Sequence, residues 1–229
     1  ELHFLTSVMN PEIAAAAEAS GATLFNVRVP AQNYPVGTGR KRTGRRMLMV
    51  GTDCAVGKKY SALAIARDMN SAGLKATFRA TGQTGILIAG TGVPIDAVVS
   101  DFVAGAAEAL SPDNDADHWD VIEGQGSIFH PAYAGVALGL LHGSQPDAII
   151  LCHAAGRTHV DGYPDFPLPG ISACIDANLS LAARTNPTVR CIGISINTAA
   201  LPENAREPYL ASLGAEFGLP PVVPLPTRA

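Results

Sequence analysis

Nine consecutive residues limit this chain more than any other feature: Gly51-Thr52-Asp53-Cys54-Ala55-Val56-Gly57-Lys58-Lys59, preceded by the apolar run Met47-Leu48-Met49-Val50 and followed by a helix-forming stretch. Glycines let a backbone curl around an anion, a helix start aims its free amides inward, and a lysine neutralises charge; together these make a phosphate-binding loop between a strand and a helix. Ala62, Ile65, Ala66 and Met69 recur at the spacing of one helical face, so the following helix is expected over 58–72.

Such a loop demands a sheet to carry it. Short apolar runs alternate with helix-length amphipathic stretches, predicting strands at 47–51, 75–80, 120–123, 148–153, 189–196 and 222–225. Further helices are expected at 95–110, 132–142, 171–184 and 203–213. The pattern implies an α/β fold, a mostly parallel sheet with helices on both faces, as in a three-layer sandwich of the P-loop NTPase type. Ligands of such sheets bind beyond the carboxyl ends of the strands, so the loops after Val50, Arg79, Ile122 and Leu151 should share one rim. Ahead of this unit, 11–19 reads as a helix and 22–29 as a short strand. Residues 30–46 hold proline, glycine and five basic side chains, a composition that suits a solvated linker or a contact with an anion. The expected division is therefore 1–46 as the end of a preceding domain plus linker, and 47–229 as the phosphate-loop domain.

Composition excludes several classes. With 47% hydrophobic and 16% charged residues the chain is not disordered, and no apolar run approaches the length of a membrane span. Residues 1–50 carry six basic and three acidic side chains and the remainder ten and seventeen, so nucleic acid is not an expected partner. Four cysteines without metal-like spacing, and no signal-peptide pattern, favour a reduced cytoplasmic protein without a zinc site. The partners expected are a small-molecule substrate and further copies of the same chain.

Lys59 stands where nucleotide-hydrolysing loops carry the Ser or Thr that binds Mg²⁺. An ammonium there competes with a metal for the same oxygens, which suits a diphosphate held without metal by Gly51, Thr52, Asp53, Cys54, Ala55, Val56, Gly57, Lys58, Lys59 and Tyr60. Alternatively, Lys59 points to solvent and Ser61 or Tyr60 supplies the hydroxyl. Glu123, at the end of a strand and before Gly124-Gln125-Gly126-Ser127, is a candidate general base, a metal ligand in an ATP user, or a cap of the adjacent turn. Gln83 and Thr84, in a glycine-rich stretch after the second strand, are candidate substrate contacts with Gln125 and Ser127, or parts of plain turns. Arg157 is a candidate clamp for a substrate carboxylate or a surface ion pair. His130 is a second candidate base or a packed capping histidine, and His118 is expected to be solvated.

The loop's spacing resembles that of dethiobiotin synthetase and its relatives. Together with Ala80-Thr81-Gly82-Gln83-Thr84-Gly85, Asp101-Phe102-Val103-Ala104-Gly105, Glu123-Gly124-Gln125-Gly126-Ser127, His130-Pro131 and Leu140-Leu141-His142-Gly143-Ser144-Gln145-Pro146-Asp147, it is similar to the P-loop family that includes bacterial D-glutamate N-acetyltransferases. That resemblance implies a Rossmann-like N-terminal domain, whose end 1–30 would be, and acetyl transfer from acetyl-CoA to the amine of D-glutamate. The metal-free, two-lysine loop agrees with the diphosphate of CoA. The alternatives are a Mg-ATP-dependent enzyme like dethiobiotin synthetase, with Glu123 and Asp53 on the metal, and a non-catalytic nucleotide-binding module.

Overall fold

The computed structural model describes residues 10–224. Its centre is a sheet of six strands in the order β2-β3-β1-β4-β7-β8, every neighbouring pair parallel. The strands are β1 (Arg45–Gly51), β2 (Ala76–Arg79), β3 (Trp119–Ile122), β4 (Ala148–Ala154), β7 (Arg190–Asn197) and β8 (Pro221–Val222). The run in β4 is buried at all seven positions, as a strand covered on both faces must be.

Alternation along the strands divides the core in two. Leu48, Val50, Ile122, Ile149, Leu151, Ile194 and Ile196 face a cluster completed by helices α4 (Val103–Leu110), α5 (Ala134–Ser144), α6 (Ile171–Ala182) and α7 (Glu203–Phe217). Met47, Met49, Val121, Ile150 and Cys152 face Ala62 and Ala66 of α2 (Lys58–Ser71) on the other side. The result is the expected three-layer sandwich. β1 lies between β3 and β4, so the loop that follows it opens at the middle of the rim, flanked by the ends of both neighbours.

Several local expectations differ from the structure. Helix α1 (Pro11–Ser20) forms, ended by Gly21 in the left-handed conformation, but 22–29 is irregular chain, from which only Val27 reaches a small cluster with Ala80 and Ile86. The helix expected at 95–110 is broken: Val98 and Val99 are extended, separating a 3₁₀ turn at Ile95–Ala97 from a second at Ser100–Phe102 that runs directly into α4. Gln83, Thr84 and Gly85, read as a ligand-contacting stretch or plain turn, open helix α3 (Gln83–Ala89), bounded by extended Gly82 and left-handed Gly90. A hairpin of β5 (His159–Val160) and β6 (Tyr163–Pro167) was not expected. The last strand ends at Val222, and Leu225 lies outside the described residues.

The basic stretch is not a solvated linker. Residues 30–44 are irregular but strapped across α4 and the start of the sheet, where a Cβ on Gly105 would overlap the Pro35 carbonyl oxygen. Arg46 is 1% exposed and donates to Ser111 Oγ (2.8 Å), Pro112 O (2.8 Å) and Thr43 O (3.0 Å). Arg42 Nη2 donates to Gly143 O (2.8 Å), and the Glu108 carboxylate accepts from the Thr38 and Gly39 amides. These cations bind the protein's own carbonyls and carboxylates at the amino ends of the strands, the edge opposite the rim. His118, expected to be solvated, is largely buried, its Nε2 3.5 Å from Asp120 Oδ1.

Candidate functional site at the centre of the rim

The loop curls because two residues take the left-handed conformation: Gly57 at φ +104°, and Ala55 at φ +52°, where an L side chain is strained. Thr52 anchors the turn, its amide donating to Cys152 O (3.0 Å) and its hydroxyl lying 3.1 Å from His153 Nδ1. Val56 packs into the core beneath α2. Lys58 Nζ reaches back across the loop to donate to Asp53 O (2.7 Å). Burial pushes its ammonium below the ordinary lysine range, so an anion in the loop would relieve a buried charge. Lys59 Nζ lies over the Tyr60 ring, 4.5 Å from its centroid, and both line the cleft. Lys59 therefore faces the site. Ser61 supplies no hydroxyl there: its Oγ bonds Gly57 O (3.0 Å) and Ser195 Oγ (2.8 Å) in the interior.

The cleft encloses about 380 Å³, walled by Cys54, Ala55 and residues 57–60 of the loop, residues 123–126 and Asn197. Glu123 is 4% exposed; its Oε2 accepts from the amides of Thr81 (2.9 Å) and Gly82 (3.2 Å). Burial pushes its carboxyl up, opposed by those two amides and the charges of Lys59 and Lys58. Gly85 of α3 lies against this carboxylate so closely that a Cβ would overlap it. Gln125 lines the cleft while donating to Thr81 Oγ1 (3.0 Å).

Other candidates lie elsewhere. Gln83 and Thr84 occupy the first turn of α3, and neither is among the residues lining the cleft. Ser127 braces the loop, donating to Thr52 O (3.2 Å). His130 is 1% exposed, stacked on Tyr133 and edge-on to Tyr163, and is not part of the cleft wall. Its Nδ1 accepts from the Ala132 amide (3.1 Å), so a neutral ring carries its proton on Nε2 and offers no lone pair there. It is packed outside the cleft wall, its Nδ1 capping the turn at Ala132. Arg157 Nη1 pairs with Asp53 Oδ2 (2.9 Å) and donates to Cys54 O (2.7 Å), so both protons of that nitrogen are spent on the loop. It lines a neighbouring cleft of about 320 Å³ that shares Asn197 with the first. Asn197 was missed; as the last residue of β7 it was discoverable from the rim rule alone.

Side-chain atoms of Asp53, Cys54 and His130 lie within 4.8 Å of one another, a spacing compatible with a metal. The donors do not fit one. His130 Nδ1 already accepts an amide, Asp53 is paired with Arg157, and burial pushes the Cys54 thiol up, away from the thiolate a metal needs.

Two curated relatives match over 214 residues, 93% of this chain: proteins named D-glutamate N-acetyltransferase from Tritonibacter scottomollicae, at 55% identity, and from Pseudoalteromonas sp, at 48%. The chain spans 64% of the length of each. A crystal structure of a DUF1611 family protein from Anabaena variabilis superposes with a TM-score of 0.81 at 38% identity, covering 88% of this chain and 60% of that one. Among the described residues no helix is long and apolar enough to cross a membrane. Residues 35–229 match the P-loop domain of DUF1611, a domain of unknown function, and the chain belongs to that family.

Proposed function

We propose that this protein transfers the acetyl group of acetyl-CoA to the amine of D-glutamate, the activity for which its curated relatives are named. The observation that carries the reading is one cleft in which two lysines of a phosphate loop face a buried carboxylate whose pKa is raised. The loop amides with Lys58 and Lys59 hold the diphosphate of CoA. Glu123, fixed by the Thr81 and Gly82 amides, takes the proton from the acceptor's ammonium, and Gln125 contacts the acceptor at the same wall. The thioester supplies an activated acyl carbon; the freed amine attacks it, the C–S bond breaks, and the departing thiolate takes the second amine proton, giving the amide and free thiol. A positioned base contributes about 10²–10⁴-fold, its raised pKa bringing it nearer the working pH. Four unpaired cysteines support a reducing compartment such as the cytoplasm.

The test is free-thiol release from acetyl-CoA on addition of D-glutamate, with L-glutamate, no acceptor, and ATP plus Mg²⁺ in parallel. D-selective release supports the reading. Magnesium-dependent ADP formation without thiol release overturns it in favour of an ATP-dependent enzyme.

A further inference from the structure

We propose that Arg157 is a built-in cation of the phosphate loop, pairing with Asp53 where a metal-using loop would hold a divalent ion, so that diphosphate binding here is independent of metal. The inference rests on the reading that the loop binds a diphosphate.

A loop of this type that uses Mg²⁺ needs a hydroxyl after its lysine and carboxylate lone pairs open to the ion. Lys59 replaces the hydroxyl, Ser61 is bonded inside the protein, and the ring of Tyr60 is covered by the Lys59 ammonium. Glu123 Oε2 is held by two amides. Asp53 is the decisive residue. Its side chain is fully buried; Oδ1 accepts from the Cys54 amide (2.6 Å), and Oδ2 from Arg157 Nη1 (2.9 Å) and the Asp161 amide (2.8 Å). A buried carboxylate persists only when paired and hydrogen-bonded, and Arg157 with the two amides meets both conditions.

The same guanidinium fixes the loop's shape. Nη1 also donates to Cys54 O (2.7 Å), pinning the backbone at the residue before strained Ala55, and the Asp161 amide ties the β5–β6 hairpin to the same carboxylate. Charge supports the assignment. Lys58, Lys59 and Arg157 against Asp53 and Glu123 leave one net positive charge, opposite in sign to a diphosphate diester. A nucleoside triphosphate carries more negative charge and, in loops of this fold, uses the ion that Arg157 and Lys59 displace. Arg157 is thus a positioning and selectivity residue acting through Asp53, without touching the reacting atoms.

Titration calorimetry with CoA and with ADP as probes, in EDTA and in excess Mg²⁺, tests this. Wild-type affinity for CoA should agree within about twofold between the two conditions, Arg157→Lys should retain most of it, and Arg157→Gln should lose at least about tenfold in EDTA. In the Lys59→Thr/Arg157→Gln double variant, Mg²⁺ should tighten ADP binding by about tenfold or more. A tenfold gain from Mg²⁺ in the wild type overturns the proposal. So does Arg157→Gln binding CoA as tightly as wild type while showing a native-like melting transition, and so does failure of both probes to bind. If Arg157→Gln does not fold, the wild-type comparison alone decides. Metal-independent CoA binding without acetyl transfer to D-glutamate would sink the functional reading and leave this one intact; metal-dependent binding with transfer would do the reverse.

Discussion

Replacing Glu123 by glutamine removes basicity with little change of shape. The side-chain oxygen of glutamine can occupy the position of Oε2 and accept from the Thr81 and Gly82 amides as the carboxylate does. No buried N–H is then left without a partner, and the structural cost should stay within about 1 kcal/mol. What is lost is proton transfer, worth about 10²–10⁴-fold, or roughly 2.7–5.4 kcal/mol of barrier. Affinity for CoA should hold or rise, since a negative charge near the phosphate site disappears. Stability should also change its pH dependence. The folded-state pKa of Glu123 is raised by burial, so between the ordinary carboxyl value and that raised value the folded protein keeps a proton the unfolded chain has released. Wild-type stability is therefore fully present below the ordinary value and falls as pH rises through the window, and Glu123→Gln should lack that slope. Thiol release with D-glutamate, calorimetric CoA titration and urea unfolding across pH read the three effects. Turnover within twofold of wild type in Glu123→Gln, or identical pH slopes in the two proteins, would refute the reasoning.

Gly85→Ala drives a methyl group into the Glu123 carboxylate; CoA titration should stay near wild type while thiol release drops at least about tenfold, and unchanged turnover would mean that the carboxylate's position is immaterial. Arg46→Ala removes the cation among Ser111, Pro112 and Thr43 and near Asp120, so calorimetry should show a loss of about 3–5 kcal/mol and, at roughly 2–4 °C per kcal/mol, a fall in Tm of about 6–20 °C. A loss below about 1 kcal/mol would count against the strap's role. Ala55→Gly relieves a left-handed alanine at φ +52°, a strain of about 1–2 kcal/mol, against an entropic cost of about 0.4–1 kcal/mol. Urea unfolding should show a net gain of up to about 1.5 kcal/mol, and destabilisation would argue that the strain is absent.

The layer order was legible because its signals are local. Buried parallel strands need continuous apolar runs, and 47–50 and 148–152, four and five residues long between polar or glycine flanks, have the length of a strand and not of a helix. The loop was legible for the same reason: glycines, lysines and the strand–helix context lie within a dozen residues. Misreadings cluster where local composition competes with packing. Residues 80–85, with Gly82 and Gly85, pass for a turn, yet Gln83–Ala89 folds as a helix ended by Gly90. The basic strap looks like a linker until Arg42 and Arg46 find acceptors 65 and more residues away.

Hydrophobic periodicity and backbone chemistry are written over short spans, and they specify the sheet, the phosphate loop and the acid that faces it. The pairing of side chains comes from packing. Arg157 and Asp53 are 104 residues apart in the chain, His130 turns its Nδ1 to a backbone amide, and Asn197 reaches the cleft only because β7 lies next to β4. A side chain's charge and hydrogen-bonding capacity are properties of its type, but which neighbour satisfies them depends on which strands and loops packing brings to the same rim.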